Sequence, residues 1–380
     1  MLYYLSHYLL NAAHGTEWAA ALSPLRVFKY ITFRSAGAAV TALVLSWLFA
    51  PRMIAWLKQI KFGQEYADKA EGAGVAHATV KRGTPTMGGL LIVSTLTIST
   101  LLWADWNPLV ALTLLALVTF CGLGFHDDYT KIAQGNARGA TSVVKLVVQT
   151  TLALGIGIYL WLVPATSKLV TDIMVPFYKH PVVTGAVGLG LLLIVLTIVG
   201  SSNAVNLTDG LDGLAIGCTL IVSFALLVLT YLAGNFKTAS YLQIPFVPGA
   251  DELTVFCAAL IGAGLGFLWY NCHPAQVFMG DTGSLALGGA LGVIAVLIHQ
   301  PFVLFIAGGV FVLEAASVML QTGWFKFTRK RYGIGRRIFL MAPLHHHFQK
   351  KSWHETQVVI RFYILCILFV VLALSTLKIR

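Results

Sequence analysis

Four polar side chains recur at intervals of three residues between two long apolar runs. They are two amides and two carboxylates: Asn203, Asn206, Asp209 and Asp212. At 3.6 residues per helical turn each neighbouring pair shares a face, although the stripe drifts across the whole run. A single helix cap would need only one such residue. Four acceptors at the end of an apolar helix are costly unless they bind something cationic or hydroxylated, so this stretch predicts a binding site.

A second candidate site is the pair of adjacent carboxylates, Asp127 and Asp128, that ends another apolar run. They would cap their own helix poorly, because a helix C-terminus repels anions. Adjacent carboxylates either bind a divalent cation or share a proton. Lys131 could instead pair with them on a solvated face, and Lys145 could reach the same site as a phosphate or carboxylate partner. We favour a metal and acid–base site, because such clusters at membrane depth are usually functional.

Asp281 lies between two glycines just before a further apolar run. This placement is typical of a metal ligand or of an anchor for ligand hydroxyls. Phe278 could stack on a base, although a single phenylalanine more often packs in the core. Cys272 and His273 are neighbours, and neither has a partner at the spacing of a zinc site.

The segment Lys-Arg-Gly-Thr-Pro-Thr-Met-Gly-Gly at 81–89 leads directly into an apolar run. Its basic residues, hydroxyls and glycines, Lys81 and Thr86 among them, would suit a phosphate-binding corner at a helix start. A capped helix entry with basic residues on the inner membrane side explains the segment equally well. It is not a Walker A motif, which ends in Gly-Lys-Ser/Thr.

Three consecutive histidines, His345, His346 and His347, lie inside the chain and so are not a terminal purification tag. Hydrogen-bonding or cationic contact with phosphates suits them better than binding Mg²⁺, which prefers oxygen ligands. Glu314 is a carboxylate well inside an apolar run. We expect it to be a buried, hydrogen-bonded glutamate, with a substrate role as the second interpretation.

The elements that must position these residues are membrane helices. The chain has 380 residues, of which 57% are hydrophobic and 11% charged, against about 25% charged in soluble domains. The apolar runs repeatedly reach about 20 residues and do not alternate, which predicts an all-α polytopic membrane protein and excludes a transmembrane barrel. Ten spans are predicted, at 35–50, 86–103, 108–126, 144–163, 182–200, 212–232, 253–271, 284–299, 302–323 and 357–377.

The basic residues are distributed unevenly between the two sides of these spans. Six, two and eight Lys and Arg lie in the loops 51–85, 127–143 and 324–356, whereas the connecting loops of the other side hold three. The positive-inside rule therefore predicts that these loops and the candidate site are cytoplasmic and that both termini are periplasmic. Three basic residues of a predicted N-terminal interfacial segment, 1–34, run against this rule: Arg26, Lys29 and Arg34.

The net charge of +11 suits anionic lipid headgroups or a phosphorylated substrate. Nucleic acid is not expected as a partner, because no soluble basic module with interleaved aromatic residues is present. We expect one polytopic domain over 1–380, with the histidines in a cytoplasmic loop at 324–356, and no cleaved signal peptide. Five scattered cysteines, four of them in apolar runs, indicate packed side chains rather than disulfides or zinc: Cys121, Cys218, Cys257, Cys272 and Cys366.

Five motifs spread over the chain resemble those of the polyprenyl-phosphate N-acetylhexosamine-1-phosphate transferase superfamily. They are 81–89, Asp-Asp-x-x-Lys at 127–131, the run at 203–214, Phe-Met-Gly-Asp at 278–281 and Pro-Leu-His-His-His-Phe at 343–348. The first and last resemble the phospho-N-acetylmuramoyl-pentapeptide transferases rather than the UDP-GlcNAc branch. Two small departures are His126, where an aliphatic residue is more usual, and Leu344, where isoleucine is frequent.

The resemblance implies ten spans in a bacterial cytoplasmic membrane, a homodimer, Mg²⁺ and a cytoplasmic active site. The implied reaction converts UDP-MurNAc-pentapeptide and undecaprenyl phosphate into lipid I and UMP, a step of peptidoglycan synthesis. Transfer of GlcNAc-1-phosphate to a polyprenyl phosphate is the alternative within the superfamily. A ten-span secondary transporter is a less favoured alternative, because the acids gather at one face and no half-repeat is visible.

The resemblance also implies roles for individual residues. Asp281, helped by Asp127 and Asp128, would hold Mg²⁺, and Asp127 would deprotonate or orient the lipid phosphate. Lys145 and the three histidines would contact phosphate or sugar near the reacting groups. A one-step displacement and a two-step route through a covalent aspartyl intermediate both remain open. The substrate pocket would be lined by Lys81, Thr86, Lys131, Asn203, Asn206, Asp209, Asp212, Phe278 and Gln321.

Overall fold

A computed structural model describes residues 1–14, 18–59, 83–133 and 139–378, and over these ranges the chain is helical, without strands. The helices used below are α1 (Leu2–Ala12), α2 (Ile31–Gln59), α3 (Gly89–Trp103), α4 (Pro108–Ala133), α5 (Ser142–Leu162), α6 (Val187–Thr208), α7 (Leu214–Ala233), α8 (Glu252–Asn271), α9 (Gly280–Leu297), α10 (Pro301–Ala307), α11 (Gly309–Tyr332), α12 (Leu344–Lys350) and α13 (Glu355–Ser375).

Each of the ten predicted spans corresponds to a helix or a helix pair. Eight helices are long and apolar enough to cross a membrane in the described part of the chain, and the pair α10–α11 could form a ninth crossing. The second predicted span is α3, a shorter apolar helix of 15 residues. The all-α, polytopic membrane fold is thus confirmed, while the side on which the termini lie stays a prediction.

The predicted straight span 302–323 is bent in the structure. α10 and α11 meet at Gly308 with an angle of 82°. At Gly309 a Cβ atom would lie 2.6 Å from the ring of Phe369, so α13 packs directly against the backbone at the bend. A pair of adjacent glycines, here Gly308 and Gly309, is a usual cause of such a break. α11 then continues to Tyr332, nine residues beyond the predicted end.

α9 is the central helix, and nearly all of its residues are buried. Its sequence is rich in Gly, Ala and Ser, which lets neighbouring helices approach closely. Gly124 of α4 lies directly against the backbone of Asp281 at the start of α9. On another side, Ser201 of α6 donates a 2.6 Å hydrogen bond to the Gly288 carbonyl. The tight contacts of α9 with α4 and α6 bring together the ends of these three helices.

At the opposite end of the bundle, Arg34 and Glu252 form a buried two-pronged ion pair. The guanidinium nitrogens lie 2.6 Å and 2.5 Å from the two carboxylate oxygens. The backbone N–H of Asp105 donates a third bond, of 2.9 Å, to Glu252, and the guanidinium lies 4.6 Å from the centre of the Tyr3 ring. Arg34 therefore belongs to α2 rather than to the predicted segment 1–34. Its charge is balanced inside the bundle, which explains how it can depart from the positive-inside rule.

Candidate active site

Three aspartates from distant parts of the sequence meet where α4 ends and α9 begins. Oxygen atoms of Asp127, Asp128 and Asp281 all lie within 4.8 Å of one another. Asp127 and Asp128 are buried, and Asp281 is half-buried. The structure therefore brings together the two carboxylate motifs that the sequence singled out separately.

Two half-buried lysines bridge this cluster. The Lys145 ammonium lies 2.9 Å from Asp127 and 2.6 Å from Asp281. Lys131 lies 3.2 Å from Asp281 and also contacts Asp127. The expected pairing of Lys131 with the adjacent acids is found, but its side chain is only 26% exposed and also faces Asp281, so it does not lie on a solvated face.

The cluster has the ligand chemistry of a divalent-cation site. Within the described ranges, one carboxylate oxygen of Asp127 faces the ammonium groups of Lys131 and Lys145, and the other is buried without a hydrogen-bond partner. Carboxylate oxygens are the ligands that hard cations prefer. Asp127, Asp128 and Asp281 could therefore hold a divalent cation, to which Asp127 offers one oxygen that has no donor among the described residues.

Asp128 also has a structural task. Its carboxylate accepts hydrogen bonds from the Thr282 N–H at 3.0 Å, the Thr282 hydroxyl at 2.7 Å and the Asp281 N–H at 3.3 Å. It thereby caps the N-terminus of α9, where an anion is favourable. The sequence argument that Asp128 is badly placed to cap its own helix holds, but it could not reveal that a different helix supplies the partner.

Gly280 makes this close approach feasible. Its φ of +72° is readily adopted by glycine. A Cβ at this position would lie 2.6 Å from a carboxylate oxygen of Asp128 and 2.7 Å from the Thr86 hydroxyl. Any larger residue would push the start of α9 away from both groups.

The four-residue stripe of α6 and the following turn divides among different partners. Asn206 donates a 2.8 Å hydrogen bond to Asp281 and so joins the carboxylate cluster. Asn203 instead donates to Gln149 of α5 at 2.8 Å, away from the cluster. A step of three residues turns a helix by about 300°, so each member falls about 60° behind the previous one. α6 also ends at Thr208, before the two aspartates.

Asp209 lies beside the cluster, just after α6. Removal from water, together with the negative charges of Asp281 and Asp128, raises its pKa to about 8. A hydrogen bond with the Gly280 backbone lowers this pKa, but by less than the other effects raise it. This carboxyl therefore faces a strongly negative surrounding. A bound cation would lower its pKa again.

Asp212 belongs to a neighbouring group rather than to the cluster. One of its carboxylate oxygens lies 3.1 Å from the Nδ1 atom of His273 and accepts a 3.2 Å bond from the Ala275 N–H. Its own N–H donates to Glu355 at 2.9 Å. Sequence reasoning gave no role to His273 or Glu355, which lie 61 and 143 residues from Asp212. Glu355 begins an apolar helix, where the sequence indicates only an acid that favours the helix N-terminus.

The predicted phosphate-binding corner reaches the same place, although Lys81 lies outside the described residues. Thr86 is buried, and its hydroxyl has no hydrogen-bond partner in the described part of the chain. The backbone of this corner pairs with the segment before α9: Phe278 donates to the Pro85 carbonyl, and Gly88 donates to the Phe278 carbonyl, both at 2.8 Å. The Phe278 side chain is half-buried.

The first two histidines take different positions. His345 is buried, with its Nδ1 atom and its N–H each 3.2 Å from an oxygen of Glu314. Its ring also packs against Gly210. Glu314 is thus a buried glutamate bonded to the histidine segment, in line with the favoured sequence interpretation. His346 is half-buried, and its Nδ1 atom lies 2.8 Å from Gln349.

Gln321 and His347 hold the loop before α12. Gln321 accepts from the N–H groups of Ile338 and Phe339 at 2.9 Å and 3.0 Å and donates to the Phe339 carbonyl at 3.1 Å. The Nδ1 atom of His347 accepts from the Leu340 N–H at 3.1 Å. Both side chains are therefore engaged with the backbone of this loop, a role that sequence reasoning did not identify.

Comparison with known proteins identifies the family of the chain. The family model described as Glycosyl transferase family 4 matches residues 110–299, and the phospho-N-acetylmuramoyl-pentapeptide-transferase signature 1 matches residues 81–93. The phospho-N-acetylmuramoyl-pentapeptide-transferase of Methylacidiphilum infernorum is 48% identical over 383 residues, covering all of both chains. That of Neisseria meningitidis serogroup C is 49% identical over 370 residues, covering 97% of this chain and 99% of the relative. The chain belongs to the phospho-N-acetylmuramoyl-pentapeptide-transferase family.

Proposed function

We propose that the chain transfers phospho-MurNAc-pentapeptide from UDP-MurNAc-pentapeptide to undecaprenyl phosphate, forming lipid I and releasing UMP. The observation that carries this proposal is the junction of α4 and α9, where Asp127, Asp128 and Asp281 meet Lys131 and Lys145 at the end of a membrane helix bundle. At such a junction, a water-soluble nucleotide and a lipid-borne phosphate can bind next to each other. The pentapeptide branch is favoured over UDP-GlcNAc because the family signature and the named relatives belong to that branch.

We assign the cation site to Mg²⁺, held by Asp281 with Asp127 and Asp128. When bound, the ion would supply the positive charge that offsets the negative charge of the diphosphate during transfer. Asp281 is held for this task by the 2.8 Å hydrogen bond from Asn206, and Asp128 is held by its bonds to the start of α9.

The transfer is a single displacement. An oxygen of the lipid phosphate forms a bond to the sugar-linked phosphorus, and the bond from that phosphorus to the UMP oxygen breaks. Asp127 takes or orients the proton of the lipid phosphate, whose second pKa is about 6 by analogy with phosphomonoesters. Lys145 and Lys131, which face both Asp127 and Asp281, offset the repulsion between the two acids and can contact phosphate oxygens.

The donor substrate lies along the neighbouring elements. Thr86, Asn206, Asp209 and Phe278 line its diphosphate and nucleoside portion, with Asp212 beyond them. The assignments of Lys81, Asn203, Gln321 and the three histidines rest on the motif resemblance, as do the homodimer and the cytoplasmic orientation of the site. The contacts of His345 with Glu314 and of Gln321 with the backbone at 338–339 favour a supporting role for these two residues over direct contact with the substrate.

The test is release of UMP from UDP-MurNAc-pentapeptide by the purified chain in detergent, with and without undecaprenyl phosphate and Mg²⁺. We expect release only when all three are present. UDP-GlcNAc in the same assay separates the two branches, and greater turnover of UDP-GlcNAc would overturn the pentapeptide assignment. Trapping of a phosphoryl-enzyme from labelled donor without lipid would replace the single displacement by the two-step route.

A further inference from the structure

The turn between α6 and α7 is held by side chains from two other helices and from the segment after α8. The backbone N–H of Asp212 donates to Glu355, the first residue of α13, at 2.9 Å. The N–H of Gly213 donates to the Asn271 side chain at 3.1 Å, and the Gly213 carbonyl accepts a 2.7 Å bond from the Tyr363 hydroxyl. The position of this turn therefore depends on α8 and α13, not only on the helices that it connects.

The carboxylate of Asp212 is fixed as firmly as its backbone. One oxygen lies 3.1 Å from the Nδ1 atom of His273 and accepts a 3.2 Å bond from the Ala275 N–H. The His273 ring also lies 3.9 Å from the second oxygen of Glu355. Asp212 and Glu355 are buried, and the His273 side chain is 34% exposed. The group therefore has a solvent-facing side formed by the histidine.

We infer that Glu355 and His273 are positioning residues that orient Asp212 toward the nucleoside of the donor substrate. This inference rests on the proposed function, in which Asp212 belongs to the donor pocket. An ionised carboxylate is an acceptor only, so it would bind N–H or O–H groups of a base or a ribose. Glu355 fixes the backbone of Asp212, and His273 fixes the plane of its carboxylate.

The separation of the two groups decides which kinetic constant changes. Asp212, His273 and Glu355 form one group, whereas Asp127, Asp128 and Asp281 form another. Interactions made equally in the ground state and the transition state affect KM and not kcat. Loss of the positioning pair should therefore weaken donor binding while the chemical step proceeds normally.

The experiment compares substitutions that keep or remove each contact. Glu355→Gln keeps an acceptor for the Asp212 N–H, and Glu355→Met removes it at similar length. His273→Asn keeps a donor near the Nδ1 position, and His273→Leu removes it. Gln357→Ala, an exposed position on the same helix, is the matched control. KM for UDP-MurNAc-pentapeptide, KM for undecaprenyl phosphate, kcat and thermal stability in detergent are measured for each variant.

We expect His273→Leu and Glu355→Met to raise the donor KM about tenfold, the effect of disturbing one charged hydrogen-bonding group. kcat and the lipid KM should change less than twofold, and His273→Asn and Glu355→Gln should restore most of the donor affinity. In an Asp212→Asn background, His273→Leu should add little, because it acts through the missing carboxylate. A donor KM within twofold of wild type for His273→Leu, or full additivity with Asp212→Asn, would overturn the inference. If Glu355→Met does not fold, the His273 pair on the exposed loop decides the question.

Binding of UDP, measured by calorimetry with the same proteins, separates this inference from the proposed function. If wild type binds UDP but releases no UMP, the proposed function fails. The inference then stands or falls by whether His273→Leu weakens UDP binding about tenfold while His273→Asn does not.

Discussion

The two ends of the helix bundle both contain buried charges, but they differ in charge balance. At one end, Arg34 and Glu252 pair one to one, and Asp105 satisfies a further acceptor position. At the other end, Lys131 and Lys145 contact Asp127 and Asp281, and two further acids, Asp128 and Asp209, lie beside them. The two ends are separated by most of the length of α4, about 28 Å from Pro108 to Asp127 at 1.5 Å per residue.

This difference separates architecture from chemistry. The buried Arg34–Glu252 pair joins α2 to α8, and each charge is balanced by the other. An excess of buried acid is expensive until a cation or a phosphate-bound cation compensates it. Substitutions at the two ends should therefore have opposite effects on activity and stability.

The largest effect on activity is expected from Asp127→Asn. This change removes a negative charge from the cluster but keeps a side-chain oxygen that can accept from Lys131 and Lys145, and both ammonium groups also contact Asp281. We expect turnover to fall by about 10³-fold or more, the range seen when a reacting acid–base group is lost. Thermal stability should remain near that of wild type. UMP release and a melting curve in detergent measure both, and near-normal turnover would remove Asp127 from the mechanism.

Asp128→Asn should lose turnover as severely but also lose stability. The amide can keep its oxygen toward the N–H and hydroxyl of Thr282, which now bind one carboxylate oxygen, but its NH2 group then faces the Asp281 N–H that now donates to the other oxygen. Loss of this acceptor and of the negative charge at the start of α9 costs about 1 kcal/mol. Comparison with Asp127→Asn by chemical or thermal unfolding tests the distinction between the adjacent acids. Equal stability of the two variants would show that the cap contributes little.

Glu252→Gln should have the opposite effect: a loss of stability without a loss of kcat. It leaves the buried Arg34 charge without its anion, which costs about 3–5 kcal/mol when a buried pair is broken. Protein that remains folded should retain the wild-type kcat, because the cluster lies at the other end. The double variant Arg34→Leu/Glu252→Leu should recover much of the stability. A loss of kcat in folded Glu252→Gln would show that the two ends are coupled.

A smaller, pH-dependent effect on thermal stability is expected from Asp209. Its pKa in the folded protein is raised to about 8, above about 3.9 in an unfolded chain. Between these values the folded state holds a proton that the unfolded state has released, so stability falls as pH rises from about 4 to 8. Without divalent cations, wild type should lose more thermal stability over this range than Asp209→Asn. Added Mg²⁺ should reduce the difference, and identical profiles in chelator would contradict the raised pKa.

The smallest effect is expected at His126, next to Asp127 in the sequence. Its side chain is exposed, whereas Asp127 is buried against Lys131 and Lys145. His126→Leu should therefore change kcat less than twofold at each pH between 6 and 9, because a solvent-screened charge influences the cluster little. UMP release across this range measures it. A shift of the pH profile would mean that His126 tunes Asp127 after all.

Much of the membrane architecture could be predicted from the sequence, because the length and polarity of an apolar run are local properties. All ten predicted spans have a helical counterpart. The bend between α10 and α11 was missed: the glycine pair at 308–309 is visible in the sequence, but the packing of Phe369 of α13 against Gly309 is a tertiary contact. The inward position of Arg34 was missed for the same reason, because its partner Glu252 lies 218 residues away.

The candidate site was predicted unevenly. Acidic motifs next to apolar runs singled out Asp127, Asp128 and Asp281 as separate candidates, and only the motif resemblance joined them in one site, as the structure does. Neighbouring members of the stripe from Asn203 to Asp212 were expected to share a face, but Asn203 binds Gln149 and Asp212 lies after the end of α6, because spacing within one helix does not describe the turn that ends it. The amide of Gln321, which the resemblance assigns to the substrate pocket, binds the backbone at 338–339, and its substrate contact stays a prediction.

By itself, the sequence determined the class of protein, the number of hydrophobic segments and the kinds of side chain available for metal and phosphate chemistry. These properties follow from composition and from periodicity over one helix. Tertiary structure alone decided which acids share a site, that Asp128 caps α9, and that Glu355 and His273 hold Asp212. Those contacts join residues 61 to 154 positions apart, and only the packing of helices around α9 determines which distant ends become neighbours.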